Sequence, residues 1–131
     1  MTLLHPHERT FVALDTTDLA HALDLANALS GHVGGMKVGK EFFTACGPDG
    51  VRAVTDCGMP VFLDLKFHDI PNTVAGAIKA SLSLSPYMVN VHASGGETMM
   101  RAATQSAEAA GEGRPLVLGV TVLTSMDESD L

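Results

Sequence analysis

Val61-Phe62-Leu63-Asp64-Leu65-Lys66-Phe67-His68-Asp69-Ile70-Pro71-Asn72-Thr73 opens as an apolar run and closes as the start of a helix. Within it, Asp64-x-Lys66-x-x-Asp69 sets two carboxylates and an ammonium inside six positions. Strand side chains alternate faces, so Asp64 and Lys66, two apart, are expected to point the same way. Asp69 falls on the turn beyond, which Pro71 converts into a helix, proline being well suited to a first helical position. Charged groups are seldom fully buried unless paired. This strand–turn–helix corner is where a site is expected.

Similar units stand on either side. Residues 11–15 form a short apolar run ending in Asp15, residues 35–39 a second near Lys37, residues 87–93 a fourth with His92, and residues 116–123 a fifth that reaches Thr124 and Ser125. The markers Phe11, Met36, Val61, Tyr87 and Leu116 lie 25, 25, 26 and 29 residues apart. Helical spacing fills the gaps. Leu19, Leu23, Ala26 and Leu29 share a face after a cap at Thr16 or Thr17, and Gly31 is the stop. A helix over residues 40–46 breaks at Gly47-Pro48, and another runs from Asp49 to Gly58. The helix from Pro71 carries Val74, Ala77, Ile78, Ser81 and Leu82. Ser94-Gly95-Gly96-Glu97 has capping-box spacing before an alanine-rich helix that ends at Gly111.

A repeated βα unit gives a parallel sheet with helices outside it. A doubly wound sheet would need a glycine-rich phosphate turn after its first strand, but Asp15-Thr16-Thr17-Asp18 stands there. A (β/α)8 TIM barrel places its chemistry at the C-terminal ends of its strands, and Asp15, Lys37, Asp64, Lys66, His92 and Thr124 gather there. The expectation is α/β, one domain over residues 1–131, comprising the first five βα units of such a barrel. Barrels of this type run to roughly 250 residues. Five strands cannot close, so the outer edges of strands one and five are expected to be unpaired.

Composition narrows the function. The chain is 46% hydrophobic with net charge −7, and its mean hydropathy is +0.21. That balance argues against a nucleic-acid partner held through phosphates. No apolar run approaches the ~18 residues of a membrane span, and the first nine residues lack the layout of a signal peptide. A cytoplasmic protein is expected. Cys46 and Cys57 form no CxxC and read as reduced thiols in helices.

From spacing alone, Lys66 is either a salt bridge at a strand top or a proton donor held in place by two carboxylates. Lys37, from the adjacent strand, extends the group to an alternating Lys-Asp-Lys-Asp array. Four such charges in one apolar mouth are costly to assemble for stability alone.

Residues 11–15, Met36-Lys37-Val38-Gly39, residues 62–73, Val91-His92-Ala93 and residues 120–125 together resemble orotidine 5′-phosphate decarboxylase, in order and over essentially the whole chain. Related sugar-phosphate decarboxylases and aldolases share Asp-x-Lys-x-x-Asp but not the Phe-His-Asp-Ile-Pro-Asn-Thr continuation. The resemblance implies a cofactor-free, metal-free decarboxylation of orotidine 5′-monophosphate in which Lys66 protonates C6. It implies that Asp64 faces the substrate carboxylate and holds Lys66, that Lys37 and Asp15 take ribose hydroxyls, and that Thr124 and Ser125 lie against the pyrimidine. It also implies a homodimer in which Asp69, Ile70 and Thr73 reach the partner's site. The phosphate-binding arginine and the closing loop of that family have no counterpart in these residues, so the 131-residue chain alone is expected to be inactive or weak.

Two further readings stay open. Val-His-Ala also occurs in metal-dependent pentose-phosphate epimerases, whose neighbouring strands end in further histidines. The chain also fits a non-catalytic half-barrel. His5, His7 and His68 are expected to be exposed, and Met99 and Met100 to be packing residues.

Overall fold

Five short apolar runs separated by helices produce one parallel sheet in the computed structural model, which describes residues 4–131. The first three residues, part of the stretch read for a leader, lie outside the described residues. The elements are β1 (Phe11–Ala13), α1 (Leu19–Leu29), β2 (Gly35–Gly39), α2 (Lys40–Thr55), β3 (Val61–Phe67), α3 (Pro71–Ser81), β4 (Met88–His92), α4 (Glu97–Glu108) and β5 (Leu116–Val120).

Strand order decides between the two closures. It runs β1-β2-β3-β4-β5, every neighbour parallel. A doubly wound sheet reverses direction at a switch point and covers both faces with helices. Here every crossover advances the same way, and right-handed crossovers then put all the helices on one side. This is the winding of a (β/α)8 barrel wall.

The core lies between that side of the sheet and the helices. Met36, Val38, Val61, Leu63, Val89 and Val91 alternate along β2, β3 and β4 at 1% exposure or less, packed with Ala22, Phe42, Val54, Val74, Ile78 and Met99. The opposite face holds Phe62 and Asp64 on β3, in register with Lys37 and Gly39 of β2, and Asn90 of β4 in register with Leu118 of β5. It is much less covered: Leu116 and Leu118 are 52% and 39% exposed. Among the described residues, β1 and β5 each have one strand neighbour, so the outer edges are open as expected.

Several boundaries differ from the sequence reading. β1 stops at Ala13 and β5 at Val120, so Thr121 to Leu123 are loop. Asp18, rather than Thr16 or Thr17, caps α1, its carboxylate accepting from the His21 N–H at 3.1 Å, while Thr16 Oγ1 accepts from the Asp18 N–H. Asp is the stronger cap of the two kinds. Ser94 does not cap α4. It sits in a 3-10 turn, and Gly96, at φ 92°, precedes the helix. That left-handed value suits a glycine and steers the serine away from the helix end. α2 breaks at Gly47 (φ 62°) before Pro48, as the sequence indicated. Cys46 lies in α2, but Cys57 lies in the turn after it; both are free thiols. His5, His7 and His68 are exposed, and Met99 is fully buried.

Candidate active site

The site begins with an irregularity in β3. Leu63 pairs with Val89 and Phe67 with Val91, so β3 spends four steps where β4 spends two. A bulge of this kind re-aims side chains and leaves a backbone group without its ladder partner. Lys66 absorbs the extra length at φ 49°, in the left-handed region. For a residue with a Cβ that conformation costs roughly 1–2 kcal/mol. Strain of this sort persists only where surrounding contacts fix it, and it concentrates at functional sites.

Asn90 supplies one such contact. The Lys66 backbone N–H donates to Asn90 Oδ1 at 2.8 Å, and Asn90 Nδ2 donates to Asp64 Oδ1 at 2.7 Å. Lys66 Nζ reaches back to the same Asp64 oxygen at 2.6 Å, while Lys37 Nζ stands 3.3 Å from Asp64 Oδ2. Asp64 is 7% exposed and Asn90 2%. Among the described residues no buried side-chain nitrogen or oxygen lacks a hydrogen-bond partner. The strands therefore deliver one buried carboxylate from β3, gripped by two ammonium groups and an amide.

The electrostatics follow. Burial works against ionising Asp64, but hydrogen bonds from Lys66, Asn90 and Lys37 and the Lys66 charge outweigh it, and the carboxyl titrates below its ordinary value. A carboxyl depressed in the folded state stabilises the fold fully above its unfolded pKa, and that contribution is lost as pH falls through the folded value. Urea midpoints of the chain should therefore fall with acidification below about pH 4. Asp64→Asn should flatten that part of the profile; an unchanged slope would show that Asp64 is not held this way. Two lysines against one carboxylate also leave the group with one net positive charge on an acidic chain.

These residues line an open groove of about 410 Å³ together with Phe62, Val120, Val122, Leu123, Thr124 and Ser125. Thr124 and Ser125 thus join the site from the loop after β5, not from a strand end. Asp15 is exposed past the Ala13–Lys37 pair and makes no side-chain hydrogen bond or ion pair among the described residues. Asp69 is exposed on the β3–α3 corner, where its carboxylate accepts from the Ile70 N–H at 2.6 Å. Ile70 is 66% exposed, and Thr73 faces solvent on the first turn of α3. The chain itself therefore assembles Lys37, Asp64 and Lys66, and Asp69 does not complete the array within it. Within one chain the array holds three charges, the turn after β3 setting Asp69 outside the groove.

His92 stands against His68, ring centroids 5.4 Å apart. Its pKa is lowered by desolvation and by the nearby His68, Lys40 and Lys66. Among the described residues no three His, Cys, Asp or Glu side chains converge in a metal-ligating group.

Asn90 escaped the sequence reading. The signal was there: it is the lone amide in the apolar run Met88-Val89-Asn90-Val91, on the same strand face as His92.

A sequence model described as the orotidine 5′-phosphate decarboxylase / HUMPS family matches residues 8–131. The chain belongs to this family. A member from Vibrio cholerae, an orotidine 5′-phosphate decarboxylase, is 54% identical over 94% of the chain and 53% of its own length. The crystal structure of orotidine 5′-phosphate decarboxylase from Lactobacillus acidophilus superposes with a TM-score of 0.78 at 38% identity, covering 92% of this chain and 55% of that one. A Methanocaldococcus jannaschii family structure complexed with the inhibitor BMP gives 0.77 at 27% identity, over 85% of this chain and 50% of that one. The chain spans about half the length of the curated family members it matches. Among the described residues no helix is long and apolar enough to cross a membrane.

Proposed function

We propose that these residues form the acid–base half of an orotidine 5′-phosphate decarboxylase, acting in the cytoplasm on orotidine 5′-monophosphate in pyrimidine biosynthesis, without metal or cofactor. The observation that carries this reading is the Lys37–Asp64–Lys66 group, net positive and fixed at the mouth of the sheet. Cleavage of the bond from C6 to the carboxyl carbon leaves the electron pair on C6 as carbon dioxide departs. The pair takes a proton from Lys66 Nζ, and the lysine is reprotonated from solvent. A pre-fixed ammonium stabilises charge that develops only in the transition state, with no reorganisation at that moment. Asp64 holds both lysines. Lys37 and Asp15 take ribose hydroxyls, and Thr124 and Ser125 flank the base. Asp69, Ile70 and Thr73, exposed on one corner, enter the site of a second copy in a homodimer. In this reading residues 1–131 are a single domain, the N-terminal part of a (β/α)8 barrel.

The test uses a hybrid barrel in which residues 8–131 replace the matching segment of the Vibrio cholerae relative. The hybrid should consume orotidine 5′-monophosphate, followed by its ultraviolet absorbance, at a rate indifferent to chelator. A polypeptide of residues 1–131 should stay at background, since binding energy from remote parts of a substrate contributes to the transition state. A folded hybrid without turnover sinks the reading.

A further inference from the structure

We propose that Asn90 is a positioning residue for the reaction, a two-ended clamp that sets both the backbone of Lys66 and the carboxylate of Asp64. The proposal rests on the decarboxylase reading above. It departs from the charged array itself, because Asn90 carries no charge and its amide bonds one array residue through its oxygen and another through its nitrogen.

Three observations converge on it. The first is the mismatch between β3 and β4, which leaves the Lys66 N–H facing a side chain instead of a strand carbonyl. The second is the left-handed backbone at Lys66, a conformation that L side chains seldom adopt. The third is the direction of the amide. Its oxygen accepts from Lys66 and its nitrogen donates to Asp64 Oδ1, the oxygen that also holds Lys66 Nζ. A closed circuit results: backbone of Lys66 to Asn90, Asn90 to Asp64, Asp64 to the ammonium of Lys66. The circuit couples where the lysine leaves the strand to where its ammonium ends. Removing Asn90 frees both, and a proton donor displaced by even ~1 Å loses on the order of 10²-fold in rate.

A buried amide of this kind also serves as ordinary core polarity, so the test needs a readout that stability alone does not move. In the hybrid barrel, Asn90→Leu removes both hydrogen bonds and keeps a branched side chain. Asn90→Asp keeps an acceptor for Lys66 and turns a second carboxylate oxygen toward Asp64. Within the chain, the charged groups facing Asp64 are Lys66 from its own strand and Lys37 from β2; His92 of β4 lies near Lys66, and the loop after β5 adds the uncharged Thr124 and Ser125. With a donor lost, the Asp64 titration should move up in Asn90→Leu, and further up in Asn90→Asp, where like charges meet.

Two measurements decide. Steady-state kinetics should show kcat down on the order of 10²-fold in Asn90→Leu, with KM changed by less than about threefold. Carboxyl carbon NMR should show the Asp64 midpoint rising in the order wild type, Asn90→Leu, Asn90→Asp. A kcat within a few-fold of wild type, or an unmoved Asp64 midpoint, overturns the proposal. If the folded hybrid is inactive from the outset, the decarboxylase reading fails. The NMR series then still decides whether Asn90 governs Asp64. Should Asn90→Leu not fold, Asn90→Asp carries the same two readouts.

Discussion

Lys66→Ala in the hybrid barrel is expected to lower kcat by on the order of 10⁴-fold or more, while KM changes by less than about tenfold. The asymmetry follows from when the ammonium matters. Lys66 Nζ is already committed to Asp64 in the resting site, 2.6 Å away, so the ground state gains little from it. The C6 carbanion exists only as carbon dioxide leaves, and an interaction made only there acts on kcat. A tenfold loss in kcat, or a loss entirely in KM, would place Lys66 in binding and return it to the role of a strand-top salt bridge.

The backbone provides an internal control. Alanine at position 66 carries the same left-handed penalty as lysine, so the stability lost in Lys66→Ala comes from the broken ion pair. Lys66→Gly removes the penalty as well, because glycine occupies this region freely. Lys66→Gly should therefore be more stable than Lys66→Ala and equally inactive. The opposite order would mean that the φ of 49° is not a strain that the site sustains.

Much of this was legible in the residues, for identifiable reasons. The βα period survives in the sequence because β2, β3 and β4 are buried on their helix side and the helices between them are amphipathic, so the apolar runs of those three strands fell where expected. Lys37, Asp64 and Lys66 could be placed together because parallel register and alternation constrain them strongly. Strand ends were less visible. Val122 and Leu123 are apolar yet lie in a loop that walls the groove, so hydrophobicity alone ran β5 three residues too far. The cap of α1 was misplaced because Thr16, Thr17 and Asp18 all have capping side chains and only the turn geometry selects one. The bulge at Lys66 left no composition signal at all. It arises from a slip between two strands, and a lysine in a left-handed conformation reads like any other lysine. Asn90 did leave a signal, a lone amide in an apolar run, but its role stayed hidden because one of its two partners is a backbone group that the slip exposes.

Asp69 is expected to act across a subunit boundary, and complementation between two inactive variants is the direct test. Its carboxylate is exposed and tied to the Ile70 N–H, on a corner that also presents Ile70 at 66% exposure and Thr73. Asp64 meanwhile accepts from two lysines with one positive charge left over, which a fourth, acidic member would balance. In a two-fold dimer the same patch serves both subunits reciprocally. Lys66→Ala and Asp69→Ala homodimers of the hybrid should each be nearly inactive, since every site lacks one residue. In a mixed dimer the two lesions fall together in one site and leave the other intact. Random re-pairing of equal amounts makes half the dimers mixed, so unfolding and refolding the mixture should restore about a quarter of wild-type activity. If Asp69 served the groove of its own chain, every site in the mixed dimer would still carry one lesion, and no activity would return. Recovery near a quarter, with the KM of wild type, assigns Asp69 to the partner's array; no recovery assigns it to its own chain.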